Sequence, residues 1–127
     1  MPLDDETEKI ATVIVDCAYK VHKKLGAGLL EKIYEECLLY ELRKAGLECK
    51  SQIPVTITYD ALVIKDAFRL DILVEDKIII ETKAVEKLHE SADAQILSHL
   101  AMSNKRLGFL LNFRVRFIKN GITRFVK

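Results

Sequence analysis

Apolar residues in the first 45 positions recur every three or four residues, which predicts two amphipathic helices. The first helix is predicted at Thr7–Leu25, and a Gly-Ala-Gly turn ends it. The second is predicted at about Leu29–Ala45, and Gly46 ends it. The chain therefore begins with two helices joined by a short turn.

After Gly46 the apolar period changes to two, which is typical of half-buried β-strands. Three consecutive strands are predicted. They lie at about Gln52–Tyr59, at Leu62–Val74 with an irregularity near Asp66, and at Lys77–Val85. The pattern indicates a β-meander after the helical pair.

The last third of the chain predicts a helix, a buried strand and a hairpin. The helix lies at about Ser91–Ser103, and the nearly all-apolar run Leu107–Phe113 fits a strand covered on both faces. Asn120-Gly121 predicts a hairpin turn between Val115–Ile118 and Ile122–Val126. The expected fold is α+β, a mixed β-sheet flanked by helices in the order ααβββαβ plus a C-terminal β-hairpin.

Length and charge limit the class of protein. The chain has 127 residues, half of them apolar, which predicts one domain over residues 1–127. A net charge of +1 gives no overall argument for a nucleic-acid partner. The segment from 105 to 127 has no acidic residue, so it could contact phosphates or balance the acidic N-terminus. The candidate nucleic-acid contacts in it are Lys105, Arg106, Arg114 and Arg116.

Three cysteines without close paired spacing predict reduced thiols rather than a zinc or redox motif. The N-terminus is acidic where a signal peptide would be basic, and no apolar run reaches the roughly 18 residues of a membrane span. We therefore expect a cytoplasmic protein without a membrane partner.

The candidate chemistry lies in two acidic residues of adjacent strands. A turn centred on Asp76 would place Asp71 directly across from Glu81, where like charges repel. Strand alternation puts Lys83 on the face of Glu81. A divalent cation would relieve the repulsion, whereas the alternative is a solvated ion pair between Lys83 and Asp71. The pattern supports both interpretations equally.

These positions and the order of elements resemble the PD-(D/E)XK nuclease superfamily, which has a restriction-endonuclease-like core. The resemblance rests on Glu31, Asp71, the run Glu81-Thr82-Lys83 and Gln95. Residues 28–34, Gly-Leu-Leu-Glu-Lys-Ile-Tyr, also resemble the signature of the small prokaryotic GxxExxY proteins.

The resemblance implies metal-dependent hydrolysis of phosphodiester bonds in DNA or RNA, including structured or branched forms. It implies that Asp71, Glu81 and the backbone carbonyl of Thr82 hold Mg²⁺ or Mn²⁺, and that Glu31 binds the ion or its water. Lys83 would orient the attacking water and stabilise the developing charge. Glu31, Asp71, Glu81 and Lys83 are thus the catalytic candidates.

Tyr34 and Gln95 are supporting candidates, Tyr34 by packing or hydrogen bonding and Gln95 by touching the metal site or a substrate phosphate. Two positions depart from the superfamily pattern. Leu70 stands where the superfamily name has a proline, and His99 stands where related nucleases often carry a tyrosine. Without the resemblance, the position of Glu31 favours the simpler role of a residue that completes a helix N-terminus, where a carboxylate is stabilised by the helix dipole.

Two functions follow for this chain. The first is a metal-dependent nuclease with nucleic acid as its partner, for which a homodimer would supply two sites to cut two strands. The second is a non-catalytic adaptor that keeps the nuclease fold and binds nucleic acid or an unidentified protein.

Overall fold

Two helices begin the chain, as the apolar spacing predicts. In the computed structural model, which describes residues 2–127, helix α1 spans Asp5–Leu25 and helix α2 spans Glu31–Lys44. The Asp4 side chain caps α1 by accepting a hydrogen bond from the Thr7 backbone N–H at 2.7 Å. Gly26 ends α1 with a φ of 73°, a conformation that favours glycine.

Within residues 2–127, five strands form one mixed sheet in the order β1-β2-β3-β4-β5. Only β3 and β4 run parallel, and helix α3 connects them. The predicted order ααβββαβ is confirmed. The elements after α2 are β1 Cys49–Tyr59, β2 Leu62–Val74, β3 Ile78–Lys83, α3 Ala92–Ser103, β4 Leu107–Asn112, a 3-10 turn Ile118–Asn120 and β5 Ile122–Val126.

The predicted irregularity near Asp66 is confirmed. Asp66 has a φ of 51°, and the β1–β2 register shifts between Val55 and Ile57. Beyond this irregularity, β1 and β2 pair again up to Tyr59 and Leu62. The two strands are longer than the others and extend well past the short pairing of β2 with β3.

The predicted hairpin limb Val115–Ile118 is wrong. Residues 113–117 are irregular, and β5 pairs antiparallel with β4 from Leu107–Val126 to Leu111–Ile122. An isolated two-stranded hairpin is marginal in water, whereas pairing with the fully buried β4 completes a larger sheet. The C-terminal antiparallel pair therefore exists, but β4 supplies its first strand.

Helices cover both faces of the sheet. On one face, Ile78 and Ile80 of β3 pack in the core that α1 and α2 cover. On the other face, Ile79 packs with Leu100 of α3. Every residue of β4 is buried, as its nearly all-apolar sequence predicts. This layering places α2 and α3 on opposite sides of the β3 residues that carry the candidate chemistry.

The β2–β3 register is the one that a turn centred on Asp76 predicts. Its pairs are Ile72–Ile80, Leu73–Ile79 and Val74–Ile78. The pairing ends there, one position before Asp71 and Glu81 would face each other. The two strands therefore separate at the candidate site, which leaves room for side chains between them.

Candidate active site

Asp71 lies where the pairing of β2 with β3 ends. At this point its carboxylate, instead of a backbone carbonyl, accepts a hydrogen bond from β3. Its Oδ2 accepts a hydrogen bond from the backbone N–H of Thr82 at 3.0 Å and lies 3.4 Å from the Thr82 hydroxyl. Thr82 is fully buried. The Asp71 carboxylate is thus fixed on β3 rather than free in solvent.

Helix α2 contributes a buried carboxylate, Glu35, which sequence analysis missed. Both Glu35 oxygens accept hydrogen bonds from Gln52 Nε2, at 3.0 and 3.2 Å, and Oε1 lies 3.5 Å from the Thr82 hydroxyl. The Thr82 hydroxyl, which has one proton, lies between Glu35 and Asp71. The signal was its position four residues after Glu31, which places both on one side of the helix.

Glu31, the first residue of α2, shares its surroundings with three other charged groups. Burial raises the pKa of its carboxyl most strongly. The Lys83 ammonium lowers that pKa, whereas the negative charges of Asp71 and Glu35 raise it further. Three carboxylates and one amine therefore lie within electrostatic reach of one another at this end of α2 and β3. The excess negative charge would favour a bound cation.

The Glu81 side chain contacts α3. Its side chain is 5% exposed and is hydrogen bonded to Nδ1 of His99. The His99 ring stacks on Phe68 of β2, with ring centroids 4.1 Å apart and planes 5° from parallel. His99, at the position where related nucleases often carry a tyrosine, therefore holds one of the predicted metal ligands.

The predicted metal ligands are three carboxylates, Glu31, Asp71 and Glu81, and the Thr82 carbonyl, all hard oxygen donors of the kind that Mg²⁺ and Mn²⁺ prefer. The donor chemistry fits such an ion. Within residues 2–127, however, no three His, Cys, Asp or Glu side chains are placed so that they could hold one. The hydrogen bond to His99 accounts for the position of Glu81.

Tyr34 holds the turn between α1 and α2. The side chain is fully buried, and its ring stacks on Phe113 with centroids 4.6 Å apart. Its hydroxyl donates to the Gly26 carbonyl at 2.5 Å and accepts from the Leu29 N–H at 3.1 Å. Tyr34 thus fixes the chain just before Glu31.

Gln95 is exposed on α3, four residues before His99. It lies one helical turn from the residue that holds Glu81. The structure therefore puts Gln95 on the α3 side of β3, away from Glu31 and Glu35 of α2.

The four candidate nucleic-acid contacts do not lie together. Lys105 pairs with Asp76 at 3.1 Å. Lys105 and Arg106 precede β4, whereas Lys83 pairs with Asn112 at the other end of β4. The two ends of this six-residue strand are separated by about 20 Å.

Arg114 and Arg116 follow the end of β4, the end at which Lys83 lies. Arg114 pairs with Glu86 at 3.2 Å. Arg116 is exposed, and its guanidinium lies over the Phe117 ring. Of the four cations, only these two are close in sequence to the end of the sheet that carries the candidate site.

A mixed sheet flanked by helices, with Asp71 on β2 and Glu81-Thr82-Lys83 ending β3, defines a nuclease-like α+β domain. Residues 8–125 match the family model of the PD-(D/E)XK nuclease superfamily, and the chain belongs to that superfamily. Members generally use divalent metal ions. A search of curated proteins and a search of solved structures each gave no match. No helix within residues 2–127 is long and apolar enough to cross a membrane.

Proposed function

We propose that this protein is a nuclease that uses Mg²⁺ or Mn²⁺ to hydrolyse phosphodiester bonds in DNA or RNA, including structured or branched forms. The observation that carries the proposal is the shared charge environment of Glu31, Glu35, Asp71 and Lys83. Three carboxylates and one amine in one charge environment suit a cation and a phosphate together better than they suit a purely structural role.

We further propose that the chain belongs to the GxxExxY branch of the superfamily and acts in the cytoplasm. The first proposal is supported by residues 28–34, in which Tyr34 fixes the turn that precedes Glu31. The second is supported by three free cysteines, which suit a reducing compartment.

In the proposed mechanism, Asp71, Glu81 and the Thr82 carbonyl would hold the ion, and Glu31 would add a carboxylate from α2. When bound, the ion would polarise the phosphate and lower the pKa of bound water. Lys83 would orient the attacking water and place its ammonium beside the negative charge that develops on the phosphate.

Glu35 is a positioning residue in this mechanism. It holds the Thr82 hydroxyl between its own carboxylate and that of Asp71. The Glu81 carboxylate, whose Oε1 is hydrogen bonded to His99, would bind the ion in competition with that histidine.

Thermal unfolding with and without millimolar Mn²⁺ tests metal binding without a choice of substrate. An ion that binds only the folded state, at a free concentration of about 100 times its dissociation constant, stabilises that state by roughly 2.7 kcal/mol. For a domain of this size the melting temperature then rises by several degrees. We expect the wild type to shift and Glu81→Ala not to shift. Glu36→Ala is the matched control, because Glu36 is an exposed carboxylate whose ion-pair partner is Lys32 at 3.9 Å.

Cleavage of single-stranded, duplex and branched DNA and RNA with Mg²⁺ or Mn²⁺ tests catalysis. The proposal requires metal-dependent cleavage that Glu81→Ala and Lys83→Ala abolish while both variants stay folded. Metal binding without cleavage of any of these substrates would contradict it.

The second candidate function is a non-catalytic adaptor. The pairing of Glu81 with His99 favours it, because this hydrogen bond gives the buried carboxylate a partner without a metal. An adaptor would show no Mn²⁺ shift, and Glu81→Ala would keep its binding to nucleic acid or to a protein partner.

A further inference from the structure

A shallow cavity lies between the last turns of α1 and the segment that joins β4 to β5. It is lined by two aromatic residues, four cations and the side chains of His22 and Ile118. We call the aromatic and cationic residues of this cavity the basic-aromatic surface. They are Tyr19, Lys20, Lys23, Arg116, Phe117 and Lys119.

The two aromatic rings of the basic-aromatic surface are exposed to solvent. Tyr19 is 47% exposed and Phe117 is 54% exposed. The Arg116 guanidinium lies 5.2 Å from the centroid of the Phe117 ring. Exposed rings next to cations provide a stacking face of the kind that binds nucleic-acid bases.

The four cations of this surface have no acidic partner among residues 2–127. Lys20, Lys23, Arg116 and Lys119 are exposed, and no carboxylate lines the cavity or pairs with them. Other cations of the chain, such as Lys105, do pair with carboxylates. The surface therefore keeps its positive charge and can neutralise phosphates.

The basic-aromatic surface lies at the end of the sheet that carries the candidate site. The Phe113 N–H donates to the Lys83 carbonyl at 2.9 Å. Phe117 is four residues further along, so at most about 14 Å of chain separates it from Phe113. His22 Nε2 lies 2.7 Å from the Val115 carbonyl and joins α1 to this segment. A strand bound on the surface could thus continue toward Lys83.

We propose that the basic-aromatic surface binds a single-stranded segment of the nucleic-acid substrate. Bases stack on Tyr19 and Phe117, and the four cations contact the phosphates. In a duplex the base faces are already stacked on each other, so this surface selects single strands. The inference rests on the proposed function for its partner and adds the strand type that the site receives.

Fluorescence anisotropy of a labelled oligothymidine of about 12 nucleotides tests this surface directly, with EDTA present so that no cleavage occurs. We expect Tyr19→Ala and Phe117→Ala each to weaken binding by about 5- to 150-fold. Tyr40→Ala is the matched control, because Tyr40 is 66% exposed on α2 with the Lys44 Nζ 6.0 Å from its ring centroid. It should leave binding unchanged.

The salt dependence of the same binding tests the cations. Each phosphate contact on a single strand contributes about 0.7 to the slope of log K against log salt, so Lys20→Ala with Lys23→Ala should lower the slope by about 1.4. Each of four results would overturn the inference. The first two are an unchanged slope and an equal loss of affinity in Phe117→Ala and Tyr40→Ala. The other two are duplex binding as tight as single-strand binding and the absence of oligothymidine binding.

The outcome also separates this inference from the proposed function. Phe117-dependent binding without metal-dependent cleavage would overturn the nuclease but keep the single-strand surface. Metal-dependent cleavage of a single strand with the same KM in wild type and Phe117→Ala would keep the nuclease and overturn the surface. Thermal unfolding of each variant confirms that it is folded.

Discussion

The backbone N–H of Thr82 donates to Oδ2 of Asp71 at 3.0 Å, at the point where the β2–β3 ladder ends. A side chain therefore holds the end of β2 against β3. Asp71 has two roles in the proposed nuclease, because the same carboxylate would also bind the metal. The two roles can be separated by choosing the substitution.

Asp71→Ala should lower the free energy of unfolding by about 1–3 kcal/mol, because it leaves the N–H of the buried Thr82 without its acceptor. Asp71→Asn keeps a carbonyl oxygen for that N–H, so its stability should be close to wild type. Both variants should lose the Mn²⁺ shift. Urea unfolding with and without Mn²⁺ measures both effects, and equal stability of the two variants would refute the structural role.

The pairing of Glu81 with His99 predicts a competition between histidine and metal. His99→Phe keeps a ring to stack on Phe68 but leaves the Glu81 carboxylate, which is 5% exposed, without its partner. We expect a lower melting temperature without metal and a larger Mn²⁺ shift than in wild type. His89→Phe is the control, since His89 lies in an exposed turn bonded to Ser91. If Mn²⁺ raised the melting temperature of His99→Phe by the same amount as that of wild type, the competition would be ruled out.

Local pattern predicted most of the fold. Apolar spacing located α1, α2 and β4, and the turn at Asp76 fixed the β2–β3 register. The error at Val115–Ile118 arose because a strong hairpin signal at Asn120-Gly121 competes with the open edge of β4, which only the assembled sheet offers. Sequence periodicity describes one element at a time, so it cannot weigh that edge.

The candidate site was less accessible to sequence analysis. The nuclease motif predicted Asp71 and Glu81 as site residues. It gave neither the bond of Glu35 to Gln52 of β1 nor the bond of Glu81 to His99 of α3. These contacts join residues 17 and 18 positions apart in the chain. Tertiary packing of α2 and α3 on the sheet brings them together, and no local period encodes that packing.

Tyr34→Phe should destabilise the protein by about 1–3 kcal/mol, because the Leu29 N–H loses its acceptor and the Gly26 carbonyl loses its donor. The ring would still stack on Phe113, so the core should stay packed. We also expect a weaker Mn²⁺ shift, since Glu31 follows the turn that the hydroxyl fixes. Thermal unfolding measures both. Tyr40→Phe is a matched control on an exposed face of α2 and should change neither.

Gly121→Ala should be strongly destabilising, whereas Gly28→Ala should be nearly neutral. A Cβ at position 121 would overlap the Asn112 carbonyl oxygen at the end of β4. The Asn112 N–H donates to the Gly121 carbonyl, so the backbone of this hydrogen-bonded pair would have to shift. A Cβ at position 28 meets no atom within 4 Å. Urea unfolding of the two variants checks the contrast, and equal losses would contradict this account of the turn before β5.

The reactivity of Cys49 tests whether burial raises the pKa of its thiol. Burial raises the pKa of its thiol from 9.0 to about 11, so at pH 8 its thiolate fraction should be about 100-fold below that of an ordinary thiol. Iodoacetamide labelling followed by peptide mass spectrometry should therefore show slow modification of Cys49 in the folded protein. In denaturant the same residue should be labelled at the ordinary rate.

The same shift fixes the sign of the stability change at alkaline pH. The folded state keeps the Cys49 proton to a higher pH than the unfolded state does. Its contribution to stability is therefore fully present below pH 9 and is lost as the pH rises through about 11. Cys49→Ser has no thiol to titrate, so its stability should fall less than that of wild type between pH 9.0 and about pH 11, as denaturant titrations at each pH would measure. Parallel losses in the two proteins would show that burial does not hold the proton on Cys49.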